Sequence, residues 1–270
     1  MTAATVPNTG GAITAKPAGA LQDVVSIAGR ALRAVPKDLE SVIPPVMIAV
    51  FFFLVNIGTL KNLTQGAAPG FDYTAFQMAT AILLGVTGVS RAPAVVLDVQ
   101  NGYLDRLLMT PVRRSAILVG HMTADVAIAA ALTVPIVVLG LVLGVDFATG
   151  PLGILVFVAM ASLWSLAFAG FGYAIALKTG NPAAVNSSFL LFFPFLFLTS
   201  SYVPREQLTG WLDTVAGLNP VTYILDGLRA LTLSGWEWSE IGQGFVAIGI
   251  VGAISMSMCF AALRGRVAQG

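Results

Sequence analysis

Several apolar runs, each long enough to cross a lipid bilayer, constrain this chain more than anything else in it. Hydrocarbon about 30 Å thick needs about 20 residues of helix. By that measure six segments are expected to span, at about 43–60, 74–97, 116–144, 152–177, 183–200 and 241–263. The fifth is short and carries Pro194, with Asn181 and Pro182 just before it, so a bent or incomplete crossing is expected there. Of the 270 residues, 57% are hydrophobic and 10% charged, against roughly 25% charged in soluble chains. No core of this size buries all those runs, so they face lipid, and the expected fold class is an all-α integral membrane protein with six transmembrane helices.

The same composition excludes several functions. Fourteen Lys and Arg against 13 Asp and Glu give a net charge of +1, so no basic field draws nucleic acid and none is expected as a partner. Cys259 is the single cysteine and His121 the single histidine. No disulfide can form within the chain, no metal site is expected, and a zinc or Ser-His centre would have to be built around one residue. An intramembrane enzyme needs a polar catalytic cluster at depth, which the sequence does not offer.

Residues 1–20 are rich in Thr, Ala, Gly and Pro and lack the basic start and apolar centre of a signal peptide, so a disordered cytosolic tail is expected. Over 21–35, Leu21, Val24, Val25, Ala28, Leu32 and Val35 share one helical face, and Gln22, Asp23, Ser26, Arg30 and Arg33 the other, with Ile27 as the exception. This reads as an amphipathic helix in the membrane interface, with Arg30, Arg33 and Lys37 at lipid phosphates. The expected organisation is therefore a tail at 1–20, an amphipathic connecting helix at 21–40 and a six-span domain at 41–270. An even span count puts both termini on one side. Assigning them to the cytosol places Lys16, Arg30, Arg33, Lys37, Arg91, Arg106, Arg113, Arg114, Lys178, Arg264 and Arg266 inside, eleven of the fourteen basic residues. Lys61, Arg205 and Arg229 remain outside.

Two connections hold most of the remaining information. The cytosolic one, at 98–115, reads DVQNGYLDRLLMTPVRRS: Gly102 can break the helix leaving the membrane, 103–109 can form about two turns, and Thr110-Pro111 stops them. The outer one, at 201–240, carries Tyr202, Trp211, Tyr223, Trp236 and Trp238, the amphipathic aromatics of a membrane interface. Asn219-Pro220 can start a helix there, and 221–233 is apolar enough to dip into the bilayer without crossing, so a re-entrant or interfacial pair of helices is expected.

His121 and Asp125 lie four residues apart on one face of the third span. An ionisable pair in a membrane helix is a functional candidate by default, here a proton relay, and a proton-coupled carrier using the two residues is the alternative function. The favoured reading is structural: a shallow pair near the inner surface, hydrogen-bonded to a neighbouring helix or water. Arg91, near the inner end of span two, is expected to snorkel. The Phe-rich run at 189–197 can line an amphiphile path or face lipid equally well.

The stretch DVQNGYLDRLLMTPVRRSAILVGHMTAD resembles the segment after span two in membrane subunits of type-2 ABC exporters, especially the daunorubicin-resistance branch, through Asp98, Gly102, Asp105-Arg106-Leu107 and Pro111. The stretch FPFLFLTSSYVPREQLTGWLDTVAGLNPVTYILDGLRAL is similar to that family's exit from span five, with Pro194, Pro204, Asn219-Pro220, Asp226 and Arg229 in place. Two departures are Thr209, where a second proline is common, and His121, where Arg or Lys is more usual. The resemblance implies a permease that exports amphiphiles such as drugs, lipids or glycolipids across the plasma membrane. It also implies pairing with a second permease copy or paralogue and with separate ABC ATPase subunits, which bind the ATP and Mg. No GxxxxGK[ST] phosphate loop occurs in the sequence. By the resemblance, Gly102, Tyr103, Leu104, Asp105, Arg106 and Leu107 form the helix that couples to the ATPase, 21–35 is the connecting helix beside it, and Pro204, Asn219, Pro220, Asp226 and Arg229 belong to the outer helices.

Overall fold

The computed structural model describes residues 19–37, 42–67, 70–102 and 114–269. Every regular element in them is helical, and no strand occurs among the described residues. That is what hydrocarbon requires, since a backbone N–H or C=O left without a partner there costs several kcal/mol and a helix satisfies them internally. In chain order the helices are α1 (Ala20–Ala34), α2 (Ile43–Ala67), α3 (Tyr73–Thr87), α4 (Ala92–Gln100), α5 (Arg114–Val142), α6 (Gly150–Thr179), α7 (Pro182–Ser187), α8 (Phe192–Phe197), α9 (Trp211–Leu218), α10 (Pro220–Arg229) and α11 (Trp238–Gln269).

Among the described residues, five stretches are long and apolar enough to cross a membrane: Ile43–Asn62, Tyr73–Asp98, Ala116–Val142, Gly150–Thr179 and Trp238–Gly265. The second is two helices rather than one. Between α3 and α4 the chain breaks at Gly88 to Arg91, where Ser90 Oγ accepts the Ala92 N–H at 3.1 Å. Pro93, in the first turn of α4, has no N–H to continue the preceding helix and fits the start of a new one.

Where the sequence suggests a span at 183–200, the structure has α7, a 3-10 turn over Ser188–Leu191 and then α8. The apolar segment Pro182–Phe197 is sixteen residues, about 24 Å by helical rise, against about 30 Å of hydrocarbon. Its ends are nonetheless far apart in the bundle. Gly180 O accepts from Gln100 Nε2 at the foot of α4, whereas Ser201 O accepts from Thr80 Oγ1, seven residues into α3. The segment therefore runs from the Asp98 end of the bundle toward the Tyr73 end and stops short of it. The hydroxyls of Thr199 and Ser201 both donate to Leu196 O, at 2.6 and 2.7 Å, and turn the chain there.

The helix α3 is the axis of the molecule, with every residue from Tyr73 to Thr87 buried. At the other extreme α2 shows Met47, Phe51, Leu54 and Val55 to its surroundings. Around α3 one apolar cluster gathers Met78, Ile82, Trp164, Phe168 and Phe192, and a second, toward α4, gathers Val95, Leu118, Tyr173 and Cys259. Small residues let the helices approach: a Cβ on Gly170 of α6 would lie 2.8 Å from the Ser255 Cβ of α11, and Ser255 Oγ donates to Ala167 O.

The amphipathic α1 corrects one sequence expectation. Ile27, the apparent exception, is buried with Ala28 and Ala31 against α5, while Leu21 and Val25 of the expected apolar face stay 78% and 62% exposed. The two apolar faces differ in their surroundings: one packs on α5, and the other, with Leu21 and Val25, is exposed. The contact on α5 is Gly120, where a Cβ would fall 2.7 Å from Ile27 Cβ. Gly120→Val should therefore release α1 from α5. Proteolysis within 20–34 should become faster in the variant while thermal unfolding of the spanning helices changes little; unchanged protection would show that the Gly120 contact does not hold α1.

Candidate functional site

Two polar networks lie at opposite ends of α3 and α4. The first is built on Asp98, near the end of α4. Its Oδ2 accepts from Arg30 Nη2 of α1 at 2.8 Å and lies 3.8 Å from His121 Nε2 of α5. The carboxylate thus ties α1 to the foot of the second span, and it pairs with α5 only when the His121 imidazole is protonated at both nitrogens. Two residues on, Gln100 Nε2 donates to Gly180 O, which adds the end of α6. Arg33 is exposed in the last turn of α1.

His121 and Asp125 share a face of α5, yet their side chains bind different partners. The His121 Nδ1 sits 2.9 Å from Ile117 O; a carbonyl only accepts, so this nitrogen carries the proton and Nε2 faces Asp98. Asp125 is fully buried and does other work. Its Oδ1 accepts the backbone N–H of Arg91 at 2.8 Å, and its Oδ2 accepts the Tyr173 hydroxyl of α6 at 2.6 Å. Arg91 is the last residue of the break between α3 and α4, so Asp125 takes a backbone donor that the break leaves without a helical acceptor. The Arg91 side chain is buried, 7% exposed, where snorkelling was expected.

The coupling residues expected from the sequence begin at Gly102, which has a left-handed φ of +66° and ends the helix as expected. Tyr103, Leu104, Asp105, Arg106 and Leu107 lie outside the described residues. The network at Asp98 and Gln100 therefore anchors the segment immediately before them.

The second network surrounds Arg229. Asn219 caps α10 by accepting the Val221 N–H, with Pro220 at the first helical position, and its Nδ2 donates to Phe195 O and Leu198 O at 2.6 and 3.0 Å. The cap thereby ties α10 to the end of α8. Arg229, in the last turn of α10, reaches Ser200 O and Ser200 Oγ at 2.9 Å, Thr80 Oγ1 and Phe76 O, and stands 3.5 Å over the Phe76 ring. Asp226 is 3.8 Å from it. Burial lifts the Asp226 carboxyl above its ordinary range, against the opposing pull of the Arg229 and Arg205 charges. Pro204 precedes a 3-10 turn at Arg205–Gln207 and is away from this cluster's hydrogen bonds. Beyond Arg229 a π-helical turn, Ala230–Ser234, frees carbonyls that Thr149 and Ala148 satisfy from the start of α6.

Sequence reasoning missed Tyr173, Ser200 and Thr80. A Tyr in an apolar run reads as core, and the serines and threonines become acceptors for Arg229 only once the chain folds back. Among the described residues no group of three or more His, Cys, Asp or Glu side chains is placed to hold a metal ion.

The ABC-2 type transporter family model matches residues 29–233. The chain is 24% identical over 203 residues to the probable doxorubicin resistance ABC transporter permease protein DrrC of Mycobacterium tuberculosis, covering 74% of this chain and 72% of that one. It is 25% identical over 225 residues to the daunorubicin resistance ABC transporter permease protein DrrB1 of Streptomyces coeruleorubidus, covering 82% and 74%. Against nodulation protein J of Rhizobium leguminosarum bv. trifolii the identity is 26% over 263 residues, covering 96% and 98%.

The Asp125 geometry gives a double-mutant test. Removing the carboxylate leaves two buried donors unpaired, so Asp125→Ala should lower stability by about 1–3 kcal/mol or more. Tyr173→Phe should cost clearly less in the Asp125→Ala background than in the wild type, with a coupling of at least about 0.5 kcal/mol. Unfolding in detergent measures both, and additive losses would mean that the hydrogen bond contributes nothing.

Proposed function

The chain belongs to the ABC-2 type transporter family, and on that premise we propose that it is the permease subunit of an ATP-driven exporter powered by separate ATPase subunits. ATP and Mg are bound by those subunits, and a second permease copy or paralogue completes the membrane path. The observation that carries this reading is the polar network at Asp98 and Gln100: it fastens the foot of the second span to α1 and to the end of α6, immediately before the segment at 103–107. A stroke delivered to that segment is passed to these helices together rather than absorbed by a loose loop. Relatives named for doxorubicin and daunorubicin resistance favour amphiphilic cargo, and multidrug efflux is the corresponding activity.

The proposed topology has six crossings, both termini in the cytosol and the bacterial inner membrane as the site. The path of Pro182–Phe197 from the Gln100 end to the Thr80 level supports the sixth crossing, and the ion pair of Arg30 with Asp98 supports a common side for α1 and the foot of span two. The proton-carrier alternative loses ground because His121 and Asp125 are engaged with Ile117, Asp98, Arg91 and Tyr173, in a packed interior.

Cysteines placed singly at Asn62 and Asn101 in a Cys259→Ser background test the topology with an impermeant thiol reagent on intact cells. Labelling at 62 only is expected, and labelling at 101 only would reverse the orientation. Coupling is tested at Arg106, outside the described residues. Removing one partner of a desolvated interfacial charge pair costs on the order of 2–5 kcal/mol, a loss of roughly 30-fold or more in affinity. Arg106→Glu should insert normally yet fail to retain the ATPase, whereas Arg114→Glu, assigned to lipid phosphate, should do less. Co-purification decides between them; an Arg106→Glu complex that holds its ATPase and transports normally would remove this residue from the docking surface.

A further inference from the structure

Between α2, α3 and α8 a narrow crevice is lined by Phe52, Asn56, Gln77, Phe193, Phe197 and Tyr202. It lies toward the Tyr73 end of α3: Gln77 is four residues from the helix start, about 6 Å along the axis. As it stands the crevice has room for little more than a water molecule.

Gln77 is the anomaly in its wall. It is 1% exposed, on a helix buried along its whole length, and its amide oxygen has no hydrogen-bond partner. Buried amide oxygens in a membrane protein are expensive to leave in that state. The next polar group on the same face is already committed, because Thr80 Oγ1 donates to Ser201 O and accepts from Arg229. The remaining walls are mostly aromatic: Phe193 stacks on Phe197 and Phe197 on Tyr202, with centroids 6.1 and 5.8 Å apart. Aromatic walls with a buried unused acceptor on Gln77, and the Asn56 amide in the α2 wall, match an amphiphile that has an apolar body and a well-placed donor.

We infer that this crevice is a cargo subsite on the export path at the Tyr73 end of α3, in which Gln77 Oε1 accepts a hydrogen bond from a hydroxyl or ammonium group and the Phe193, Phe197 and Tyr202 rings hold the apolar body. The inference rests on the exporter reading above and adds the chemistry that selects cargo. Because the crevice is narrow, occupancy requires α2 and α8 to move apart. Asn219 holds the end of α8 through Phe195 O and Leu198 O, whereas α2 shows Met47, Phe51, Leu54 and Val55 on its far side and is the freer wall. The rival role for Gln77 is structural, with a bound water satisfying the oxygen.

The test uses inside-out membrane vesicles carrying the permease with its ATPase. Two probes are taken up in the presence of ATP: doxorubicin, a cation with hydroxyl and ammonium donors, and tetraphenylphosphonium, a cation with none. In Gln77→Leu the doxorubicin concentration for half-maximal uptake should rise roughly three- to tenfold, with tetraphenylphosphonium changed by less than about twofold. Equal losses for both probes, or no loss for either, make Gln77 structural and overturn the subsite. Should Gln77→Leu not accumulate, Phe197→Cys in a Cys259→Ser background gives a second measurement, labelling by a thiol reagent. Doxorubicin should slow that labelling, and labelling indifferent to it overturns the subsite. If the wild type moves neither probe, the exporter reading itself fails and takes the subsite with it, whereas wild-type transport without a split between probes removes the subsite alone.

Discussion

A broken helix inside a membrane leaves backbone groups that lipid cannot satisfy, and the break at Gly88 to Arg91 in the second span sets the terms for the helices around it. Three groups near the break find partners on other elements. Ser165 of α6 donates to Val86 O, Trp164 Nε1 donates to the Thr87 hydroxyl, and Asp125 of α5 accepts the Arg91 N–H. A buried carboxylate is costly to desolvate, and Asp125 is retained with two good donors, the second being Tyr173. The third and fourth spans are thus fixed to the second by polar contacts on top of apolar packing. Van der Waals contact and small residues drive helix association in lipid, but they discriminate poorly between registers. Directed hydrogen bonds at the break supply that discrimination.

The outer end follows the same logic with the charge reversed. Arg229 has donors in a rigid fork, and the chain surrounds it with Ser200, Thr80 and Phe76 O, with the Phe76 ring below. These acceptors come from α3 and from the turn after α8, so one guanidinium holds α10, the axis of the bundle and the end of the short segment together. Asn219 repeats the link through Phe195 O and Leu198 O. The short segment is thereby held at its outer end, while Gln100 holds the chain just before it at Gly180.

Much of this architecture was legible in the sequence because apolar length is a one-dimensional property. The helices α2, α5, α6 and α11 fall within a few residues of the expected spans, and Gly102 and Asn219-Pro220 end and start helices where their backbone chemistry demands. What was not legible depends on three-dimensional partners. Nothing local distinguishes a break at Gly88 from the tolerated glycines of other spans; the break is stabilised by Asp125, Ser165 and Trp164, at least 34 residues away. Ile27 disturbed the single-face pattern of α1 because that helix has two apolar surroundings, and periodicity alone assumes one. The pairing of His121 with Asp125 was suggested by spacing, yet spacing fixes only a shared face. Each side chain took the nearer partner offered by a neighbouring element.

The break also gives the bundle a mechanical property. Residues 73–102 form one continuous stretch whose first helix, α3, carries Gln77 and whose second helix, α4, carries Asp98. An uninterrupted helix would transmit a push at its foot as a rigid shift of all of α3, which is buried on every side and packed at close to crystalline density. With the backbone ladder interrupted at Gly88 to Arg91, α4 can tilt about the break while α3 keeps its packing, provided that Asp125 still holds Arg91. Displacement at Gly102 then reaches the outer half through the neighbours of α4. Gln100 passes it to Gly180, next to the start of the short segment that ends as α8. That segment is one wall of the crevice, so the polar contacts connect the foot of the second span to an element that, together with α2, closes it.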